Sequence, residues 1–506
     1  MTMSTHDRPA HDRSTRHEPS QDESSQDESI RDQSTQATSP TATRLRGLSR
    51  LRTVIRGRVY VPDDDGFDGA VQSWNLDAIQ RPAVVVLPAD ADDVRAAVEW
   101  ATDAGIGVGV QATGHGIARP CHGGLLLNTS TLSRLTLDPE RRRVRVGAGV
   151  RWRDVVDAAA PYGLAGLHGS GTTLGVVGYT LGGGFGWLGR RFGLAAHSVT
   201  AAEIVTADGR LRMLSEHQHP DLFWAVPGGL GNLGVVTQLE FALHPVPTVY
   251  AGNLYYPHRR LGELLTFFAD WSRRTPDELT AAVTVRRFPP TPAVPEPLRG
   301  RVWVALRGAY SGDPALGSRL IDGARSALGP AAIDTFAAMP TRRLAEVSAD
   351  PVDPLPFRGH HELLTDLTPS AVADLMHFAG PGSDWPLVMT EVRQLGGALG
   401  GPAGALSPMA HTSARFSLNA VGMTATPDQK SAVRSHLAAL AERMAGHATG
   451  DTYLNFLDLG SATPDRILAA YRPADRDRLR GLKRHYDPTG VFRFGRPLPL
   501  ERSAHA

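Results

Sequence analysis

The sequence predicts an α+β fold: a glycine-rich region over 70–246 made of two α+β lobes, then a region over 247–450 with an antiparallel sheet covered by helices. Three features point to it. A strand–helix–strand unit reads over 84–110. A stretch without charge, 158–189, is dense in glycine. Beyond Pro245 and Pro247, segments of alternating polarity recur between helical ones.

In the first lobe, 84–87 is a valine-rich run that reads as a strand, and Pro88 ends it. Asp90 is placed to cap a helix, with Asp93 in its first turn. Val94, Ala97, Val98 and Ala101 recur at helical spacing, Gly105 supplies the stop, and 106–110 reads as the next strand. In the second lobe, 143–150 and 202–207 read as strands and 152–160 as a helix, with a turn at Asp208-Gly209 and a last strand over 235–241. The later region alternates over 281–287, 301–308, 387–395 and 414–421, with a helix over 428–444. A closing segment, 451–499, carries a helix over 474–486. Residues 1–46 form a polar tail in which SQDES occurs twice, too poor in apolar residues to fold alone, and order is expected from about Val71.

Composition narrows the function classes. Among 506 residues, 53 Lys+Arg almost balance 52 Asp+Glu, so no global charge argues for nucleic acid or an anionic membrane. The single cysteine, Cys121, excludes an intramolecular disulfide framework and any cysteine-rich metal site. His360-His361 is an adjacent pair that nothing nearby completes into a zinc set, so no metal is expected. Eleven of the 32 residues in 158–189 are glycine, which suits turns approaching a ligand better than a membrane helix. No secretory or twin-arginine signal is read at the N-terminus, and a cytoplasmic location is expected.

The glycines carry the chemistry. Two formal GxGxxG matches occur, at Gly184–Gly189 and Gly229–Gly234. A Rossmann site needs a strand before the glycines and a long helix after them. The first match runs into Arg190-Arg191-Phe192-Gly193 and the second straight into a strand, so neither qualifies. Three other loops offer backbone amides for a phosphate or a ring system: Thr113-Gly114-His115-Gly116 after a strand, 169–175 and 182–186.

The block Val110-Gln111-Ala112-Thr113-Gly114-His115-Gly116 resembles the flavin-attachment loop of the berberine-bridge-enzyme-like oxidoreductases, of the vanillyl-alcohol-oxidase (PCMH-type) flavoprotein superfamily. Further blocks follow in that family's order. They are Gly175-Val-Val-Gly178-Tyr-Thr-Leu-Gly182-Gly-Gly-Phe-Gly186, Val205-Thr-Ala-Asp-Gly209, Asp221-Leu-Phe-Trp-Ala, the stretch 228–237, Arg393-Gln-Leu-Gly-Gly-Ala398, Tyr453-Leu-Asn455-Phe456, and Tyr486-Asp487-Pro488 with Val491-Phe492. The resemblance spans roughly residues 70–497.

It implies a PCMH-type FAD-binding domain over 70–246, a substrate domain over 247–450, and a C-terminal segment returning to the first. FAD would contact Gln111, Ala112, Thr113, Gly114, His115, Gly116, Ile117, Gly171, Thr172, Gly175, Gly178, Tyr179, Gly183, Gly184, Gly234, Val235, Val236 and Asn455, with His115 matching the histidine that bonds the flavin. Many members add a cysteinyl bond; Gly171 stands at that position, so attachment is through His115 only or is non-covalent. Phe185 replaces a tyrosine that is a candidate base in many members. Tyr453, and more weakly His411, are then the acid–base candidates, while Glu391 and Arg393 could face the pocket or solvent. The expected activity is an FAD oxidase acting on a small-molecule substrate, with O2 as acceptor. A dehydrogenase or oxidative tailoring enzyme, and a flavin- or drug-sequestering protein, stay open.

Overall fold

The computed structural model describes residues 45–292, 294–400, 407–409 and 413–500. Most of the expected polar tail, and His411, lie outside the described residues.

The first lobe is a four-stranded sheet. Val84–Leu87 and Val108–Gln111 both run parallel to Leu125–Asn128, which lies between them. Helix Ala91–Asp103 connects the first two, and the Asp90 carboxylate accepts from the N–H groups of Asp92 and Asp93, as its capping position requires. Order begins earlier than residue 70. Helix Leu48–Val54 buries Leu51, and Arg58–Tyr60 pairs antiparallel with Val84–Leu87. The cause lies in Asp93. Its buried carboxylate accepts from three backbone N–H groups, those of Arg56, Gly57 and Ala89, each at 2.8 Å. The segment at Arg56 and Gly57 is therefore tied to the helix start by its backbone, a link that residue types alone do not register.

The second lobe is a five-stranded antiparallel sheet in the order Leu135–Asp138, Arg143–Gly147, Val235–Ala242, Val199–Val205, Leu211–Leu214. Gly234 opens the third of these strands because a Cβ there would lie 2.4 Å from the carbonyl oxygen of Val205. Val235 and Val236 pair with Val205 and Ile204. The glycine-rich stretch folds as loops around the short helices Val176–Leu181 and Gly189–Phe192, so neither GxGxxG match precedes a long helix.

The later region is one antiparallel sheet. Its order is Ile333–Asp334, Thr248–Pro257, Val302–Tyr310, Leu279–Arg287, Met389–Gln394, Phe416–Met423, Phe357–Leu364, with Ala337–Pro340 also pairing Thr248–Pro257. Side chains alternate between its faces. Leu254, Val283, Leu306, Val392 and Leu418 point to helices Leu261–Trp271, Pro314–Leu328, Pro369–Ala379 and Pro427–Met444, in a core with Phe268, Ile321, Leu375 and Leu437. The intervening residues face the two lobes. Among them are Asn253, Thr284, Arg307, Glu391, Arg393, Ser417 and His361, all buried. A buried sheet face this polar separates the region from an ordinary helix-covered sheet. Helix Pro473–Tyr486 packs back on the first region, with Lys483 Nζ donating to the carbonyl oxygens of Asn232 and Phe492.

Asp93→Ala would leave three part-buried N–H groups without their acceptor. It is expected to destabilise the protein by about 3 kcal/mol, read as a lower midpoint in urea unfolding.

Candidate functional site

Strand Val108–Gln111 delivers the chain into a turn at Gly114, whose φ of 76° favours glycine. A Cβ there would also lie 2.7 Å from Cα of Ser73. The turn is backbone-paired: N–H of Trp74 donates to the carbonyl of Thr113, and N–H of Asn75 to that of Gly114. This sets the Trp74 indole parallel to the His115 imidazole, 4.4 Å between centroids and 14° apart. His115 Nδ1 lies 2.7 Å from Thr113 Oγ1. Burial pulls the imidazole pKa down to about 3; Arg151 adds to the fall and Asp350 opposes it. His115 is therefore a neutral ring fixed by stacking and by hydrogen bonds to threonine hydroxyls on both of its nitrogens.

The second glycine loop faces it. Thr173 Oγ1 is 3.4 Å from His115 Nε2, and a Cβ on Gly175 would sit 3.3 Å from Cβ of Ala112. Helix Val176–Leu181 is buried except at Gly178, which is exposed and fronts open space. Three buried hydroxyls here have no hydrogen-bond partner: Tyr179, Thr180 and Tyr453. Buried polar atoms left unpaired are costly unless something supplies the partner. The open backbone at Gly178, beside three orphaned hydroxyls, fits a large, flat, polar cofactor such as FAD. Gly171, also buried, would accept a Cβ without a clash, its nearest neighbours being Leu174 at 3.4 Å and the Asp350 carboxylate at 3.6 Å. Gly171 thus offers no side chain to bond a cofactor.

The sheet domain closes the site with charge. Arg307 and Arg393 share the carboxylate of Glu391; Arg393 Nη2 is 2.7 Å from Oε1, and Arg307 Nη2 contacts Oε2. The Arg393 guanidinium lies 4.2 Å over the ring of Trp187 and 5.3 Å from that of Phe185. Burial lowers both arginines, Arg307 to about 9 and Arg393 to about 10, so both stay cationic at neutral pH. Glu391 and Arg393 thus face the interior, not solvent. His361, on the same face, stacks on Phe456 and meets Ser417 Oγ at 2.9 Å; burial holds it well below 6.5, and Arg466 and His360 add to that. Tyr453 lies edge-on to Phe185, and burial pushes its phenol well above 10, with Tyr179 adding.

The geometry gives several of the expected contact residues partners within the protein. Gln111 spends its side chain on Gln72, Ser73 and Gln80. The Asn455 amide bridges the carbonyl of Tyr179 and the N–H of Gly184 at 3.0 and 3.1 Å, locking the 179–184 turn rather than aiming outward. Val235 and Val236 are buried strand residues, so they and Gly234 shape the second lobe's sheet. Ala112, Ile117 and Thr172 stay half-buried and Gly116 is exposed, on the loops facing His115. Gly183 and Gly184 take positive φ against the rings of Tyr453 and Tyr179. Trp74, Arg307 and Asp350 were not singled out in the sequence: they come from segments with no glycine signal and reach the site only through tertiary pairing.

A family described as "FAD binding domain" matches residues 82–215, and "Berberine and berberine like" matches residues 452–499. In both segments the chain is similar to the berberine-bridge-enzyme-type FAD-linked oxidoreductases. Its cofactor is FAD, and its fold is that of the PCMH-type FAD-binding proteins. (R)-6-hydroxynicotine oxidase of Paenarthrobacter nicotinovorans is 35% identical over 237 residues, 46% of this chain and 52% of that protein. The chain thus spans about half the length of the first curated relatives it matches. The FAD-linked oxidoreductase YgaK of Bacillus subtilis is 26% identical over 89% of this chain and 99% of its own. The solved 6-hydroxy-D-nicotine oxidase of Arthrobacter nicotinovorans superposes with a TM-score of 0.76 at 27% identity, covering 88% of this chain and 98% of that one. Among the described residues no helix is long and apolar enough to cross a membrane, and no group of three or more metal-ligating side chains occurs.

The depressed His115 pKa has a sign. Unfolded, the ring binds a proton below about 6.5; folded, it stays neutral down to about 3. Stability of the flavin-free protein is therefore lost as pH falls through that window. His115→Gln is expected to flatten part of that loss in urea unfolding between pH 7 and 4.

Proposed function

We propose that this FAD-linked protein is an oxidase that removes hydride from a small-molecule C–H adjacent to an O–H or N–H and passes the electrons to dioxygen. The carrying observation is the fixed, neutral His115 ring, held opposite a buried cationic sheet face. Bound FAD supplies the hydride acceptor and the two-electron route to dioxygen. A neutral imidazole keeps a nucleophilic lone pair, so His115 is the one covalent tether, and Gly171 supplies none. Arg307 and Arg393 keep net positive charge beside the site, which favours electron density arriving there. Relatives named for oxidation of hydroxynicotine, chitooligosaccharide and xylooligosaccharide support a substrate bearing an amine or alcohol.

Tyr453 serves best as a hydrogen-bond donor. A phenol pushed well above 10 by burial is reluctant to become a base at neutral pH. Tyr453→Phe is expected to slow flavin reduction by about 10²-fold while keeping the shape of the rate profile between pH 6 and 9. Loss of a limb from that profile would instead make Tyr453 the base.

Acid precipitation of the purified protein tests the tether. The wild type is expected to give a yellow, fluorescent pellet and His115→Ala a colourless one; a yellow His115→Ala pellet refutes the assignment. Oxygen uptake with a panel of hydroxynicotine, amino alcohols and oligosaccharides tests the reaction. Stoichiometric peroxide is expected, and turnover in air without peroxide contradicts an oxidase.

A further inference from the structure

The loop before strand Phe357–Leu364 carries a carboxylate that the reading above leaves unused. Asp350 is half-buried and makes no hydrogen bond or ion pair with any described residue. A Cβ on Gly171 would lie 3.6 Å from its Oδ2, and its charge is felt by His115 on the first lobe and by Arg307 and Arg393 on the sheet. The loop is held firmly. Arg286 donates to the carbonyls of Ser348 and Ala349, Trp187 Nε1 donates to Ser348 Oγ at 3.0 Å, and Trp74 Nε1 donates to the carbonyl of Val352 at 3.3 Å. The residue before Asp350 is Ala349, at φ 48°, a left-handed conformation that alanine rarely adopts. Strain of this kind persists only where the surroundings impose it, and it concentrates at functional positions. The same Trp74 that stacks on His115 therefore fixes the loop presenting Asp350.

Other proton acceptors at this seam are committed elsewhere. Glu391 is held between two guanidiniums, the Tyr453 phenol is buried, and His361 already meets Ser417. We propose that Asp350 is the proton acceptor of the site, a role that rests on the oxidase reading. As the substrate's C–H leaves as hydride with two electrons to the flavin, its O–H or N–H proton passes to Asp350, and a C=O or C=N bond forms. Asp350 returns that proton to solvent, and dioxygen takes two electrons and two protons to become hydrogen peroxide. The charged and titratable groups that feel the Asp350 charge are His115 from the first lobe and Arg307 and Arg393 from the sheet. His115 stays neutral, so a limb of the rate profile that disappears in Asp350→Asn is assigned by the substitution itself.

Asp350→Asn, Asp350→Glu and Asp353→Asn holoproteins test this against wild type, with FAD content from visible absorbance as the check on folding. Two readouts are needed: the flavin reduction potential, by equilibration with a reference dye, and the anaerobic bleaching rate against pH with whichever panel compound reduces the wild type. Asp350→Asn is expected to raise the potential, because a negative charge is removed, to bleach at least about 100-fold more slowly, and to lose the acid limb. Asp350→Glu keeps the limb at reduced rate, and Asp353→Asn matches wild type. Wild-type bleaching and pH profile in Asp350→Asn, or an effect on KM alone, overturns the acceptor role. If no panel compound bleaches the wild type, the oxidase reading fails; an unchanged potential in Asp350→Asn then separately refutes the placement of Asp350 beside the flavin.

Discussion

Two guanidiniums sharing one carboxylate, all three buried, set the terms for the rest of this molecule. Removing such charges from water costs several kcal/mol per ion and is offset only by close geometry and well-placed partners. Here the partners come from both regions. Glu391 and Arg393 alternate on one strand, Arg307 lies two strands away across Leu279–Arg287, and the Trp187 ring that receives the Arg393 cation belongs to the glycine-rich loops. The cluster can form only if the sheet docks against those loops. The polar sheet face, the tight glycine turns and the aromatic floor at Phe185 and Trp187 are parts of one solution.

That docking is stitched by short segments distant in sequence. Residues 74–76 pair with the His115 loop on one side and with Leu355 on the other. Trp187 reaches across to Ser348, and Asn455 clasps the 179–184 turn from the C-terminal segment. The result is a seam whose walls are rigid while its polar groups stay incompletely paired. Preorganised dipoles and charges in a water-poor seam act on developing charge without reorganising, which is how a protein assists a cofactor that carries the redox chemistry itself.

Much of this was legible in the residues. The valine run at 84–87, the Asp90 cap and the Gly105 stop specify the first strand–helix–strand unit because local spacing and capping chemistry decide such elements. The glycine at 114 and the histidine after it marked the site because a positive-φ turn beside a reactive side chain is a local signal. The N-terminal strand was missed because its hold, the Asp93 carboxylate on backbone N–H groups, leaves no trace in composition. Trp74 and Asp350 carry no local signal for a related reason: each meets its neighbours across a gap of many residues. The amide of Asn455 bonds the 179–184 turn, an orientation that a motif match does not specify.

The central claim is that the cofactor site is a seam built by both regions, not a pocket of the first alone. Hydrogen–deuterium exchange of the protein with and without bound FAD tests it most directly. The structure predicts simultaneous protection of 111–117, 171–184 and the sheet strand Met389–Gln394 when FAD is bound. Protection confined to 111–184, with the sheet strand exchanging as before, would contradict it.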